Sequence, residues 1–123
     1  MDIALKRIYE DPAPDDGCRV LVDRLWPRGV ARERAHLDAW LKDVAPSPEL
    51  RSWWNHDPER QGEFARRYRA ELDESPATVS AVAELRELAR AHASGRITLV
   101  YGARDPQVNH ARVLAEYLGA GAA

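Results

Sequence analysis

Two short segments hold most of the side chains in this 123-residue chain that could do chemistry. The first is Asp23-Arg24-Leu25-Trp26-Pro27-Arg28-Gly29, directly after the apolar run Val20-Leu21-Val22. The second is Tyr101-Gly102-Ala103-Arg104-Asp105-Pro106, directly after Ile97-Thr98-Leu99-Val100 and shortly before Asn109-His110. A guanidinium matches carboxylate and phosphate in both charge and shape, so Arg24, Arg28 and Arg104 are candidates to clamp an anionic group. Histidine titrates near neutrality, so His110, paired with Asp23 or Asp105, is the candidate for moving a proton. Asn109 would orient the ligand, Tyr101 would contact it, and Trp26 would wall it. Gly29 would supply a positive φ or a close backbone approach.

Each residue also has a plainer reading. The arginines could pair with Asp23 and Asp105 to fix the loops, Trp26 could plug the end of a core, and His110 could be a hydrogen-bonded buried histidine. Arginine identity alone carries little weight, because of the 18 basic residues only Lys6 and Lys42 are lysines. Position has to decide. His56 reads as a local partner of the cap Asp57, and His36 and His92 as surface residues on helical segments. No two histidines have the spacing of metal ligands on one helix, so no metal site or cofactor is expected.

These residues need a scaffold, and composition limits what it can be. A chain of 123 residues with 45% hydrophobic and 31% charged residues suits one folded domain with one core. The formal net charge of −2 disfavours generic nucleic-acid binding. No apolar run has the length of a membrane span, and the N-terminus lacks a signal-like apolar stretch, so a cytoplasmic location is expected. The single cysteine, Cys18, cannot form an internal disulfide.

Three segments read as strands, at residues 3–9, 19–23 and 97–101. The last two are continuously apolar, as strands covered on both faces of a parallel sheet are. The dipeptides Ser47-Pro48, Asp57-Pro58, Ser75-Pro76 and Asp105-Pro106 each put a capping residue before a proline, which marks a helix start. The stripes Phe64/Tyr68/Leu72, Val82/Leu85/Leu88/Ala89 and Val113/Leu114/Tyr117/Leu118 supply the core faces of the helices that follow. A further short helix is expected over residues 32–41. Residues 10–18 are too few for a helical crossover, which leaves a hairpin or an irregular loop. The expected fold is a small three-layer α/β domain, with a short, mainly parallel sheet of about three strands and about five helices. The domain is expected over residues 1–118, followed by a frayed Gly/Ala tail at 119–123.

Arg19 through Gly29, Tyr101 through Asp105 and Asn109-His110-Ala111 together resemble the YeaO-like bacterial family, domain of unknown function 488. The middle of the chain carries the likeness too, in Trp40-Leu41-Lys42, Leu50-Arg51, His56-Asp57 and Phe64 through Leu72. Cys18 departs from the pattern where an aromatic is expected, and Gly102 where alanine is expected. The resemblance implies a small cytoplasmic bacterial α/β protein and no established reaction, so the site residues rest on position.

Position gives one functional expectation. Open α/β sheets bind ligands beyond the carboxyl ends of their strands. Parallel neighbouring strands would bring Asp23, Arg24, Arg28, Arg104 and Asp105 to one edge. The chain is then expected to bind, or act on, a small phosphate- or carboxylate-bearing molecule. If it is an enzyme, it would be a metal-independent hydrolase or transferase using His/Asp acid–base chemistry. The competing expectation is a non-catalytic protein-interaction module anchored by exposed Trp and Arg.

Overall fold

The computed structural model describes residues 2–121. Four parallel strands form one sheet in the order β1-β4-β2-β3, with β1 at Asp2–Arg7, β2 at Cys18–Leu21, β3 at Ala39–Trp40 and β4 at Arg96–Tyr101. The sheet thus has four strands where about three were expected. The extra one, β3, has only two residues and falls within the stretch 32–41 read as a helix. The helix there, α1, is a single turn at Arg32–Ala35, ended by His36 in the left-handed conformation at φ 48°. The register places Leu99 between Leu5 and Val20, so β4 is the buried central strand.

The helices are α2 (Pro48–Trp54), α3 (Gln61–Glu74), α4 (Pro76–Ala91) and α5 (His110–Gly121). Helix α5 thus runs on through part of the expected Gly/Ala tail, and Ala122 and Ala123 lie outside the described residues. Alternation along the strands divides the core in two. Cys18, Val20, Ile97, Leu99 and Tyr101 face the helices, where Phe64, Tyr68, Leu72, Leu85 and Leu114 meet them. Leu21 and Val100 face the other way, under Ile8, Ala35, Trp26 and Trp40. That second cover is the 24–40 segment with its one-turn helix rather than a layer of long helices. The three expected stripes are all buried as read, apart from Leu88 and Tyr117, which are half-buried.

Ser47 caps α2 by accepting from the Leu50 N–H at 3.2 Å. Asp57 caps a 3-10 turn at Pro58–Arg60 that leads into α3. Ser75 precedes Pro76 at the start of α4 without a side-chain bond. Asp105 does not start α5. It caps a turn by accepting from the N–H groups of Gln107 and Val108, and α5 begins only at His110.

The connection between β1 and β2 is the irregular loop, not the hairpin, since β4 lies between the two strands. The loop turns on Gly17, whose φ is +69°. A methyl group there would meet the Arg96 carbonyl oxygen at 2.5 Å. Gly17→Ala therefore combines an unfavourable φ with a backbone clash. It is expected to cost about 2 kcal/mol or more, read as a lower urea midpoint with an unchanged slope.

Candidate functional site

The expected neighbours are indeed neighbours, since β2 and β4 pair in parallel with Val20 opposite Leu99. Both chemistry-bearing segments therefore leave the sheet at the same carboxyl edge, where a cleft of about 270 Å³ opens. Of the residues singled out in the sequence, Asp23, Arg24, Trp26, Arg28 and His110 line it. Its opposite wall holds Arg51, Trp54 and His56, which the sequence reading did not assign to a site.

Local contacts fix the 23–30 loop. Trp40 donates its indole N–H to the Asp23 carbonyl at 2.7 Å, Trp26 donates to the Val30 carbonyl at 2.8 Å, and Tyr9 donates its hydroxyl to the Arg28 carbonyl at 2.9 Å. Trp26 packs edge-on against Trp40 at 5.4 Å and also lines the cleft. On the far wall, Trp54 is buried and stacked on Phe64 at 3.8 Å. Asn55 and His56 follow with φ values of 48° and 55°, two consecutive left-handed residues without a glycine. This costly turn carries the His56 ring against Trp54, at 4.5 Å between centroids.

At the base of the cleft lie Asp23 and His110, with Asp23 Oδ1 3.6 Å from His110 Nε2. His110 must donate from Nε2 to the Val22 carbonyl at 2.9 Å, because a carbonyl only accepts. The neutral ring therefore keeps its lone pair on Nδ1. Asp23 Oδ2 accepts from the Gly102 N–H at 2.9 Å, while Oδ1 is buried without a hydrogen-bond partner. Burial pushes the Asp23 carboxyl above its usual range, against the lowering effects of His110, the Gly102 N–H, Arg51 and His56. Burial likewise pushes His110 down, outweighing the raising effects of Asp23 and the Val22 carbonyl. Each group is held toward its uncharged form.

The sign of the Asp23 shift gives a stability prediction. A carboxyl whose pKa is raised by folding costs nothing below its unfolded pKa and destabilises as pH rises through the raised folded value. Asn at this position keeps the Gly102 bond and never ionises. Asp23→Asn is therefore expected to melt a few degrees higher than the native chain at pH 7, with the gap closing toward pH 4. Equal melting temperatures at both pH values would mean the carboxylate is not penalised in the fold.

The positive charge of the cleft is only partly neutralised. The Arg24 guanidinium leans on the Pro46 and Ala45 carbonyls at 3.4 and 3.2 Å and reaches Asp43 at 3.4 Å. Among the described residues, the Arg28 and Arg51 guanidinium groups form no hydrogen bond or ion pair. Asp23 is the only acidic residue in the cleft lining.

Five candidates are placed elsewhere. Arg104 and Asp105 do not join the cleft; both are exposed and line an adjoining depression. The Asp105 carboxylate is spent on its turn, so it is not the partner of His110. Asn109 is fully buried, donating to the Asp105 carbonyl at 2.8 Å and accepting from the Arg112 N–H at 2.9 Å. It caps α5 and, being fully buried, is not open to a ligand. Tyr101 faces the helix-side core rather than the cleft. Gly29 does adopt a positive φ of 78°, but it lines a separate groove beside Tyr9 and Glu10. The placements of Arg104, Asp105 and Asn109 share one cause: α5 begins at His110, so residues 102–109 form a loop that turns Arg104 and Asp105 outward.

Among the described residues, no three His, Cys, Asp or Glu side chains come together as a metal ion would require. None of the described helices is long and apolar enough to cross a membrane. None of the four tryptophans is exposed: Trp54 is buried, Trp26, Trp40 and Trp53 are half-buried, and the Arg60 and Arg67 guanidinium groups lie over the Trp53 ring.

Comparison with known proteins agrees with the whole-chain likeness. The family described as "Inactive DUF488-N3 subclade" matches residues 2–122. An uncharacterized protein of Mycobacterium tuberculosis (strain ATCC 25618 / H37Rv), Rv3073c, is 48% identical over 118 residues, covering 94% of this chain and 92% of that one. The uncharacterized protein YeaO of Escherichia coli (strain K12) is 38% identical over 118 residues, covering 96% of this chain and 97% of its own. No solved structure matches. The chain therefore belongs to the DUF488 family, as a YeaO-like member of the subclade described as inactive.

Proposed function

We propose that this protein binds a small phosphate- or carboxylate-bearing molecule in the cleft at the carboxyl edge of its sheet, and does so without turning it over. The observation that carries the reading is the charge balance of the cleft. Three arginines line it, two of them without a protein partner among the described residues, against a single carboxylate held toward its neutral form. Guanidinium groups left unpaired beside a concave, aromatic-walled surface favour an anion. Asp23 and His110 would then set the shape and polarity of the cleft floor rather than drive a reaction. The family description, with its word "Inactive", supports binding over catalysis.

A thermal-shift screen at low salt tests this directly, with phosphate, sugar phosphates, nucleotides, carboxylates and, as controls, neutral sugars. A ligand at about 100 times its Kd stabilises the fold by about 2.7 kcal/mol, which moves Tm by several degrees in a domain of this size. A shift confined to anions, and shrinking as salt rises, is the expected result. No shift from any anion would reduce the arginines to loop scaffolding.

A further inference from the structure

We infer that the cleft is one half of a two-compartment site, and that its ligand is a small molecule carrying two separated anionic groups. This rests on the anion-binding reading above and names the ligand class. The adjoining depression, about 350 Å³, holds Arg104 and shares His56, Gly102 and Ala103 with the cleft. Those three residues form a common wall between two spaces that are each open to solvent.

The second compartment also offers a guanidinium with no protein partner among the described residues. Arg104 is exposed and, among the described residues, makes no ion pair or side-chain hydrogen bond. The acid beside it, Asp105, turns its Oδ1 to its own backbone, accepting from two N–H groups at 2.8 and 3.2 Å, and forms no ion pair with Arg104. Each compartment therefore offers a guanidinium with no protein partner, Arg28 and Arg51 on one side and Arg104 on the other. A single anionic group cannot fill both compartments, whereas one molecule with an anion at each end can.

The dividing wall is low where the chain passes through Gly102. A Cβ added there would sit 3.0 Å from Asp23 Oδ2 and 3.6 Å from Pro27, on the cleft side. Without it, the boundary at this residue is bare backbone. His56, held in its left-handed conformation, forms the other part of the boundary and touches both spaces. The ligand's central portion would cross here, between the imidazole and the Gly102 backbone.

The test is titration of the full chain at low salt with matched pairs that differ in one anionic group. Fructose 1,6-bisphosphate is compared with fructose 6-phosphate, and adipate with hexanoate. The doubly anionic member of at least one pair is expected to bind about tenfold tighter, the effect of one added charge-assisted contact. The pair that responds names phosphate or carboxylate as the anion. Arg104→Ala, an exposed change that leaves the core alone, is expected to erase that tenfold preference and leave the singly anionic affinity unchanged. Equal affinities within both pairs, or a preference that survives Arg104→Ala, would overturn the two-compartment site and leave the single-anion reading standing. Absence of binding by all four compounds would overturn the two-compartment site, and would overturn the anion-binding reading as well if no anion of the thermal-shift screen binds.

Discussion

Asp16→Ala is expected to cost about 3–5 kcal/mol of folding free energy, the scale for stripping the partner from a buried ion pair. Asp16 lies at the end of the loop joining β1 to β2, and its side chain is 9% exposed. It accepts from Arg19 at 2.6 Å, from Lys6 at 3.0 Å and from the Ala13 N–H at 3.0 Å. Arg19 is itself buried in the strand β2, and its other donors reach the Ala35 and His36 carbonyls. Without Asp16 a guanidinium charge stays inside the protein with no counter-charge. The Asp16 backbone carbonyl also accepts from the Thr98 hydroxyl at 2.6 Å, so the loop is pinned across the face of the central strand.

The same carboxylate gives a dependence on acid. Burial works to raise its pKa, but the bonds from Ala13, Lys6 and Arg19 outweigh burial, and the net shift is downward. A carboxyl lowered by folding contributes stability above its unfolded value, about 3.9, and that contribution is lost as pH falls through the folded value. The stability difference between the native chain and Asp16→Ala, read by urea unfolding, should therefore shrink over this acid window. A loss below about 1 kcal/mol at pH 7 would show that other contacts hold the loop.

The second large effect concerns binding. Arg28→Ala combined with Arg51→Ala is expected to weaken anion affinity about 100-fold, about tenfold for each guanidinium–anion contact removed. Both side chains are exposed and unpaired among the described residues, so the melting temperature without ligand should hardly move. That separation distinguishes ligand anchors from structural ion pairs. Arg24→Ala makes a useful contrast, because Arg24 braces the Ala45 and Pro46 carbonyls and its loss should lower stability as well. Calorimetric titration of the double variant, with a ligand found by the anion screen, decides the matter. Undiminished affinity would move the anion away from this cleft.

The chain by itself determined helices α2, α3 and α4 and three of the strands, because their signals are local; the one-turn α1 and the start of α5 were not fixed this way. Pro after a capping residue, a four-residue apolar stripe and a continuous β-branched run each act within a few positions. The same apolar runs pointed to a mainly parallel sheet and, if β2 and β4 are neighbours, to the edge where Asp23, Arg24 and Arg28 emerge; they leave the direction of β1 open. Strand β3 was not legible. It is two residues long, and Ala39-Trp40 has no period to read, because only pairing with Val20 and Leu21 makes it a strand. Missing β3 meant missing that the following segment also leaves the carboxyl edge, and so Arg51, Trp54 and His56 were not placed in the cleft. The adjacent aromatic and basic residues 51–56 were visible, but without β3 no sheet edge claimed them.

Tertiary structure also decided between residues that looked alike in sequence. Arg28 and Arg104 both follow a strand by a few positions, yet one lines the cleft and the other its neighbour. The difference lies in where α5 starts. Asp105 and Asn109 are both good caps, and local chemistry allows either to begin the helix. In the fold Asp105 caps a turn over Gln107 and Val108, and the buried Asn109 caps α5 through the Arg112 N–H while donating back to the Asp105 carbonyl. The stripe Val113, Leu114 and Leu118 is the same from either start, so the choice lies in the bonds of this buried amide, which local sequence does not reveal. That choice left residues 102–109 as a loop with Arg104 turned outward, while His110 opens α5 beside Asp23.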